Sequence, residues 1–129
     1  MKKILFVCIG NAGRSQMAEA FFNQLAAGKA QAFSAGTEPA SAIGPNTVKV
    51  MKEVGIDISK NHPKKVTLEM LEQADKVITM GCGVAQSCPA TFMETEDWNL
   101  EDPIGKSIEE VREIRDEINR RVTTLLKDI

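Results

Sequence analysis

Cys8-Ile9-Gly10-Asn11-Ala12-Gly13-Arg14-Ser15 stands between the apolar run KKILFV (residues 2–7) and the helical pattern SQMAEAFFNQLA (residues 15–26). A short branched-apolar run reads as a buried strand, and Met17, Ala18, Phe21, Phe22 and Leu25 recur at three- and four-residue steps, as one face of a helix does. Strand, glycine-bearing turn and helix start, in that order, are what an oxyanion cradle needs. The turn amides of Ile9, Gly10, Asn11, Ala12 and Gly13 can converge on one point, and the helix N-terminus adds partial positive charge there. Gly10 and Gly13 are expected to supply positive φ so that the loop curls around a tetrahedral anion. Arg14 can grip two oxygens through its planar fork. Cys8 is the candidate nucleophile, because this field favours the thiolate.

The rest of the chain extends this opening. Residues 31–34 read as a weaker strand, and SAGTEPASAIGPN (residues 34–46) as a loop. Pro45 can open a helix with Val48, Met51 and Val54 as its buried stripe, and Gly28 and Gly55 stop the first and second helices. Thr67 can cap a short helix over 67–74. DKVITM (residues 75–80) is a buried strand, residues 81–90 a loop or poor helix, and residues 91–98 hold a last strand. Ser107 begins a long helix with Ile108, Val111, Arg115, Ile118, Val122, Leu125 and Ile129 along one side. The order β-α-β-α-α-β-β-α predicts one α/β domain over 1–129 with a mostly parallel sheet. Ligands in such sheets bind beyond the carboxyl ends of the strands, where the Cys8 loop lies.

Sixteen basic and eighteen acidic side chains give a net charge of −2, so no global field draws nucleic acid or an anionic membrane, and anion selectivity must be local. Met1-Lys2-Lys3 and its apolar run mimic a secretory leader. That run ends after about seven residues with no small-residue cleavage site before Arg14. No stretch approaches the ~20 apolar residues of a membrane span. The chain reads as cytoplasmic, a reducing setting in which Cys8, Cys82 and Cys88 are catalytic or metal-binding before they are structural.

Cys82 and Cys88 stand in MGCGVAQSCPA (residues 80–90). Five intervening residues exceed the usual zinc spacing, and the chain has one His, so no metal site is expected. On a helix, six residues separate Cα atoms by about 9 Å along the axis, whereas a disulfide needs them within ~7 Å. A Cys82–Cys88 bond therefore requires an unwound segment, which Gly81, Gly83 and Pro89 permit. A thiolate attacking an oxyanion also needs an acid for the departing oxygen. His62 lies in the polar stretch KNHPKK (residues 60–65) and reads as a surface residue. Asp102, stiffened by Pro103 and placed between the last strand and the final helix, is the better candidate.

These residues together resemble the low-molecular-weight protein tyrosine phosphatases, through the Cys-x5-Arg-Ser loop, the late Asp-Pro and the size. The likeness runs on through RSQMAEAFF, FSAGTE, MKEVGIDIS, DKVITM and DWNLEDPIGK. Cys82 and Cys88 resemble one branch of that family, the thioredoxin-coupled arsenate reductases. The resemblance implies a four-stranded parallel sheet flanked by helices, with Cys8 as nucleophile, Arg14 and the loop amides as oxyanion site, and Asp102 as acid. Ser15 would hydrogen-bond Cys8, and Asn11 would hold the loop's shape. It further implies that Cys8 attacks arsenate, that Cys82 resolves Cys8 with release of arsenite, and that Cys88 then resolves Cys82. An external dithiol protein (thioredoxin or a similar reductant) would complete the cycle without a tightly bound cofactor. Phosphate and sulfate would compete with arsenate. Some members bind potassium, and Asn11, Glu19 and Ser34 match that arrangement. KNHPKK stands where a further carboxylate is expected, which leaves potassium dependence open. A tyrosine phosphatase is the alternative, but the chain has no Tyr to stack on a substrate ring. A non-catalytic redox sensor is a third reading, and sustained turnover would distinguish it.

Overall fold

The apolar N-terminal run forms a strand, β1 (Lys2–Cys8), that is covered on both faces. Side chains alternate along a strand. Ile4, Phe6 and Cys8 accordingly face one cluster of buried side chains, while Leu5 and Val7 face another. The computed structural model describes residues 2–80, 95–98 and 100–128. Among these, β2 (Ala30–Gly36), β3 (Lys76–Thr79) and β4 (Thr95–Asp97) complete a parallel sheet of order β2-β1-β3-β4. The helices are α1 (Arg14–Ala26), α2 (Pro45–Glu53), α3 (Leu68–Gln73) and α4 (Ile108–Lys127). α1, α2 and α4 cover the Ile4–Phe6–Cys8 face. There Phe6 meets Phe22 edge-on at 6.1 Å and Trp98 at 5.6 Å. Leu71 and Ala74, at α3, cover the opposite face with Val77. Burying Phe6 and Phe22 completely makes each worth about 3–5 kcal/mol against truncation to Ala.

Register brings the strand ends level: Cys8 pairs with Gly36, Val7 with Thr79, and Thr79 with Asp97. The outer side of β2 is engaged at two points. Asn23 of α1 donates through Nδ2 to the Ala32 carbonyl at 3.0 Å and accepts the Ala32 amide at 2.7 Å. Farther along, the Gly36 amide donates to the Lys64 carbonyl and the Val66 amide to the Gly36 carbonyl.

Most expected elements stand, with their ends moved by one to three residues. The first helix begins at Arg14, and its left-handed C-terminal residue is Ala27 at φ 50°, ahead of Gly28. The stripe expected on α2 is displaced. Thr47, Val50 and Met51 are buried, whereas Val54 is exposed, because it falls past the last helical turn at the C-cap. The α4 stripe holds at Val111, Arg115, Ile118, Val122 and Leu125 and gains Ile114, while Ile129 lies outside the described residues. Ser107 and Glu110 close a reciprocal capping box at its start. β4 falls within the strand predicted over 91–98, of which residues 91–94, like the segment expected over 81–90, lie outside the described residues. No helix among the described residues is long and apolar enough to cross a membrane.

Arg115, the one charge in the apolar α4 stripe, is 9% exposed and fully engaged. It donates to the Val50 carbonyl at 2.9 Å, to Glu53 at 2.9 Å and to Asp116 at 2.8 Å. Arg112 adds a two-pronged grip on Glu53 at 2.7–3.1 Å, so α2 is clamped to α4 through one carboxylate. The hydrogen bond from Arg112, followed by that from Arg115, holds the Glu53 carboxyl down to about 2 from an ordinary 4.5. The folded-state value lies below the unfolded one, so the clamp contributes fully above pH 4.5 and loses its contribution as pH falls toward 2. Glu53→Gln should therefore melt below wild type at neutral pH, and the two melting temperatures should converge between pH 4.5 and pH 2. Thermal melts across that range check it; a constant gap would detach the clamp from Glu53 ionisation.

Candidate active site

Cys8 ends β1 at the carboxyl edge of the sheet, and the loop after it curls back to start α1. Its curvature is held from outside. The segment after β2 takes up the loop carbonyls: Thr37 N donates to Cys8 O, Glu38 N to Ile9 O, Ala40 N to Gly10 O and Gly44 N to Ala12 O, all at 2.8–3.1 Å. In a trans peptide the next N–H points opposite the carbonyl. The amides of Ile9, Gly10, Asn11 and Gly13 are thereby turned away from that segment. Asn11 N confirms the sense by donating to Cys8 Sγ at 3.1 Å.

The residue with left-handed backbone in this loop is Asn11, at φ 51°; neither Gly10 nor Gly13 has positive φ. The sequence expectation for the two glycines is thus corrected. Asn tolerates this region better than other side-chain-bearing residues, and here its amide group is bound on every side. Asn11 Nδ2 donates to Ser15 Oγ at 2.7 Å, while Oδ1 accepts from Gln16 Nε2 at 3.1 Å and from Lys64 N at 2.9 Å. Close packing demands a glycine at Gly36, where a Cβ would stand 2.5 Å from Ile9 O and 2.9 Å from Asn11 N.

Ser15 Oγ lies 2.9 Å from Cys8 Sγ. Because Asn11 Nδ2 already donates to that oxygen, the hydroxyl proton is free to turn to the sulfur. Cys8, Asn11 and Ser15 are all nearly or wholly buried, so these bonds operate away from bulk water. Arg14, 4% exposed, donates from Nη1 to Leu100 O at 3.0 Å and places Nη2 3.7 Å from Asp102 Oδ2. One small pocket is lined by Cys8, Gly10, Ala12, Gly13 and Arg14 together with Asp102 and Ile104. Candidate nucleophile, cation and candidate acid therefore face one space. Ile9 turns its side chain partly outward, at 36% exposed.

His62 is exposed, as expected, and contributes its carbonyl, which accepts from Gln16 Nε2 at 3.3 Å. Gln16, Asn61 and the Lys64 amide brace Asn11 from behind, and nothing in the sequence pattern marked them. Cys82 and Cys88 lie outside the described residues. Among the described residues no three His, Cys, Asp or Glu side chains gather as a metal site. Of the residues matching a potassium arrangement, Ser34 Oγ donates to Glu19 at 2.9 Å, and Asn11 Oδ1 is occupied by its two donors.

A loop of inward-turned amides beside a buried thiol, on a four-stranded parallel sheet, defines a class. The chain belongs to the low molecular weight phosphotyrosine protein phosphatase family, whose model matches residues 3–129. Among its relatives, the glutaredoxin arsenate reductase of Synechocystis sp. is 41% identical over 133 residues, covering 100% of this chain and 99% of that one. A solved arsenate reductase in the phosphate binding state is 41% identical with a TM-score of 0.88, covering 100% and 99%. A low molecular weight protein tyrosine phosphatase from T. tengcongensis also has a TM-score of 0.88, at 29% identity and full coverage of both chains.

The Ser15 hydroxyl gives the site a direct check. A hydrogen bond to a charged group contributes about 1.5–3 kcal/mol, so Ser15→Ala should slow alkylation of Cys8 by iodoacetamide at neutral pH at least about tenfold. Mass-spectrometric rates of Cys8 labelling measure this. An unchanged rate would leave Ser15 with a structural role alone.

Proposed function

We propose that the protein reduces arsenate to arsenite through a thiol–disulfide cascade, working as one domain over residues 1–129. The observation that carries this reading is the convergence on one sulfur. Asn11 N–H and the Ser15 hydroxyl both meet Cys8 Sγ, in a pocket that Arg14 and Asp102 share. Fold alone does not choose between reduction and hydrolysis, since the reductase and the phosphatase neighbours have the same TM-score of 0.88. Cys82 and Cys88 favour reduction, because hydrolysis needs neither thiol.

In this mechanism the Cys8 thiolate attacks arsenic while the loop amides and Arg14 hold the oxygens. An As–S bond forms, and an oxygen leaves with a proton from Asp102. Cys82 then attacks the Cys8 sulfur. The S–S bond forms, the As–S electron pair returns to arsenic, and arsenite departs reduced by two electrons. Cys88 attacks Cys82 and frees Cys8, and an external dithiol protein, thioredoxin or a glutaredoxin, reduces the Cys82–Cys88 bond. Such a cycle suits the reducing cytoplasm. Phosphate and sulfate occupy the same cradle as competitors. Phosphate monoester hydrolysis is the second reading, supported by the family and by the Cys8–Asp102 pairing. Ile104 after Asp102-Pro103 offers no aromatic platform for phosphotyrosine.

Two variants test the cascade. The double variant Cys82→Ser, Cys88→Ser should lose catalytic arsenate reduction by more than about a hundredfold, since removing a step's nucleophile removes the step, yet keep slow hydrolysis of a small aryl phosphate. Undiminished arsenate turnover would remove both thiols from the mechanism. In Cys88→Ser, arsenate should be reduced once per protein molecule and a Cys8–Cys82 bond should accumulate. Peptide mapping after one turnover reads this, and a Cys8–Cys88 bond in wild type would reverse the assigned order.

A further inference from the structure

We propose that Gly13 is a positioning residue for Asp102: the space left by its missing side chain is the seat of Pro103, and that seat fixes the height of the acid above Cys8. The inference rests on Asp102 being the general acid of the proposed reaction.

A Cβ on Gly13 would lie 2.6 Å from Pro103 Cγ and 3.4 Å from Pro103 Cδ. Its next neighbour, Thr47 Oγ1 at 3.5 Å, is in ordinary contact. The severe encounter at this position is therefore with the proline ring. That ring cannot swing aside as a flexible side chain does, because it closes on the backbone nitrogen. A change of ring pucker takes up part of the overlap, and the rest falls on the main chain of the turn that carries Asp102.

The turn touches the loop at few points. Pro103 is buried, while Asp102 and Ile104 on either side of it are exposed. The other hold is the Arg14 hydrogen bond to Leu100 O at 3.0 Å. The Asp102 carboxylate adds little anchorage. Its Oδ1 accepts the Ile104 amide at 3.0 Å within the same turn, and its Oδ2 stays 3.7 Å from Arg14, beyond hydrogen-bond range. The carboxylate goes where the turn goes, and the turn rests on Gly13. A methyl group there needs about 1 Å more room, and a displacement of that size can cost roughly a hundredfold in rate.

The test compares Gly13→Ala, Pro103→Ala and the double variant in the full chain, with p-nitrophenyl phosphate and phenyl phosphate as substrates and inorganic phosphate as competitor. Nitrophenolate leaves without a proton, whereas phenolate needs one. Gly13→Ala alters a residue that itself lines the pocket, so its phosphate affinity is measured beside turnover, and the contrast between the two esters carries the test. Its kcat/KM should fall about a hundredfold on phenyl phosphate and less than about tenfold on p-nitrophenyl phosphate. Removing the ring should restore room, so the double variant should regain at least about tenfold on phenyl phosphate over Gly13→Ala. Equal losses on both esters, loss of phosphate affinity in step with turnover, or a double variant no better than Gly13→Ala would each overturn the proposal. So would a wild-type protein that hydrolyses neither ester, since no acid would be there to position. If Gly13→Ala fails to fold, Pro103→Ala alone decides: loss confined to phenyl phosphate supports the seat, and equal loss overturns it. Both esters probe the acid without arsenate, so a failure of the arsenate reading would register only in arsenate turnover.

Discussion

Everything at the carboxyl end of the sheet depends on where the carbonyls of the Cys8 loop are sent. A loop that binds an anion must present N–H groups inward, which obliges its carbonyls to find donors elsewhere. The segment after β2 supplies four of them, from Thr37, Glu38, Ala40 and Gly44. That segment can reach the loop because Cys8 and Gly36 are level in the sheet and because Gly36 has no side chain to hold the two apart. Parallel pairing, strand register and a single missing methyl group thus precede any chemistry at the sulfur. The same arrangement explains why the stretch over 37–44, which has no regular structure, is nonetheless tightly specified.

The fold was open to reading because its signals are local. The strand period in residues 2–7, the helix period after Arg14 and the punctuation by glycine and proline each act over a few residues, and each led to an element within three residues of its observed ends. The α2 stripe went astray at Val54 for a related reason: spacing cannot tell the last helical turn from the first residue beyond it. The site divides in the same way. Cys8, Arg14 and Ser15 were readable from one contiguous motif, and Asp102 from its place after the last strand. Gln16, Asn61 and the Lys64 amide were not, since Gln16 and Lys64 N act on Asn11 from 5 and 53 residues away, Asn61 acts through Gln16 from 45 residues away, and none carries chemistry of its own. Backbone shape was the other blind spot. Glycine was expected to take the left-handed position, but a side chain with enough hydrogen-bonding partners holds it in Asn11.

Two sets of polar contacts brace the frame, with different duties. Behind the loop, neutral amides of Asn11, Gln16 and Asn61 fix shape without adding charge that would compete with an anion. Between α2 and α4 the contacts are ionic, and Glu53, Arg112 and Arg115 fix the distance between helices. α2 begins at Gly44–Pro45, whose amide holds Ala12, so that ionic contact also governs how firmly one wall of the loop stands.

Asn23 has a consequence beyond this molecule's own interior. A border strand normally displays a row of donors and acceptors that any extended chain can read, including another copy of the same protein. At Ala32 that row is interrupted, because the Asn23 amide imitates one residue of a neighbouring strand and satisfies both backbone groups. A visiting peptide would have to displace an intramolecular partner before it could find its register. One side chain, borrowed from the helix that begins at Arg14, therefore caps the sheet's growth in that direction and discourages templated stacking of one molecule on the next.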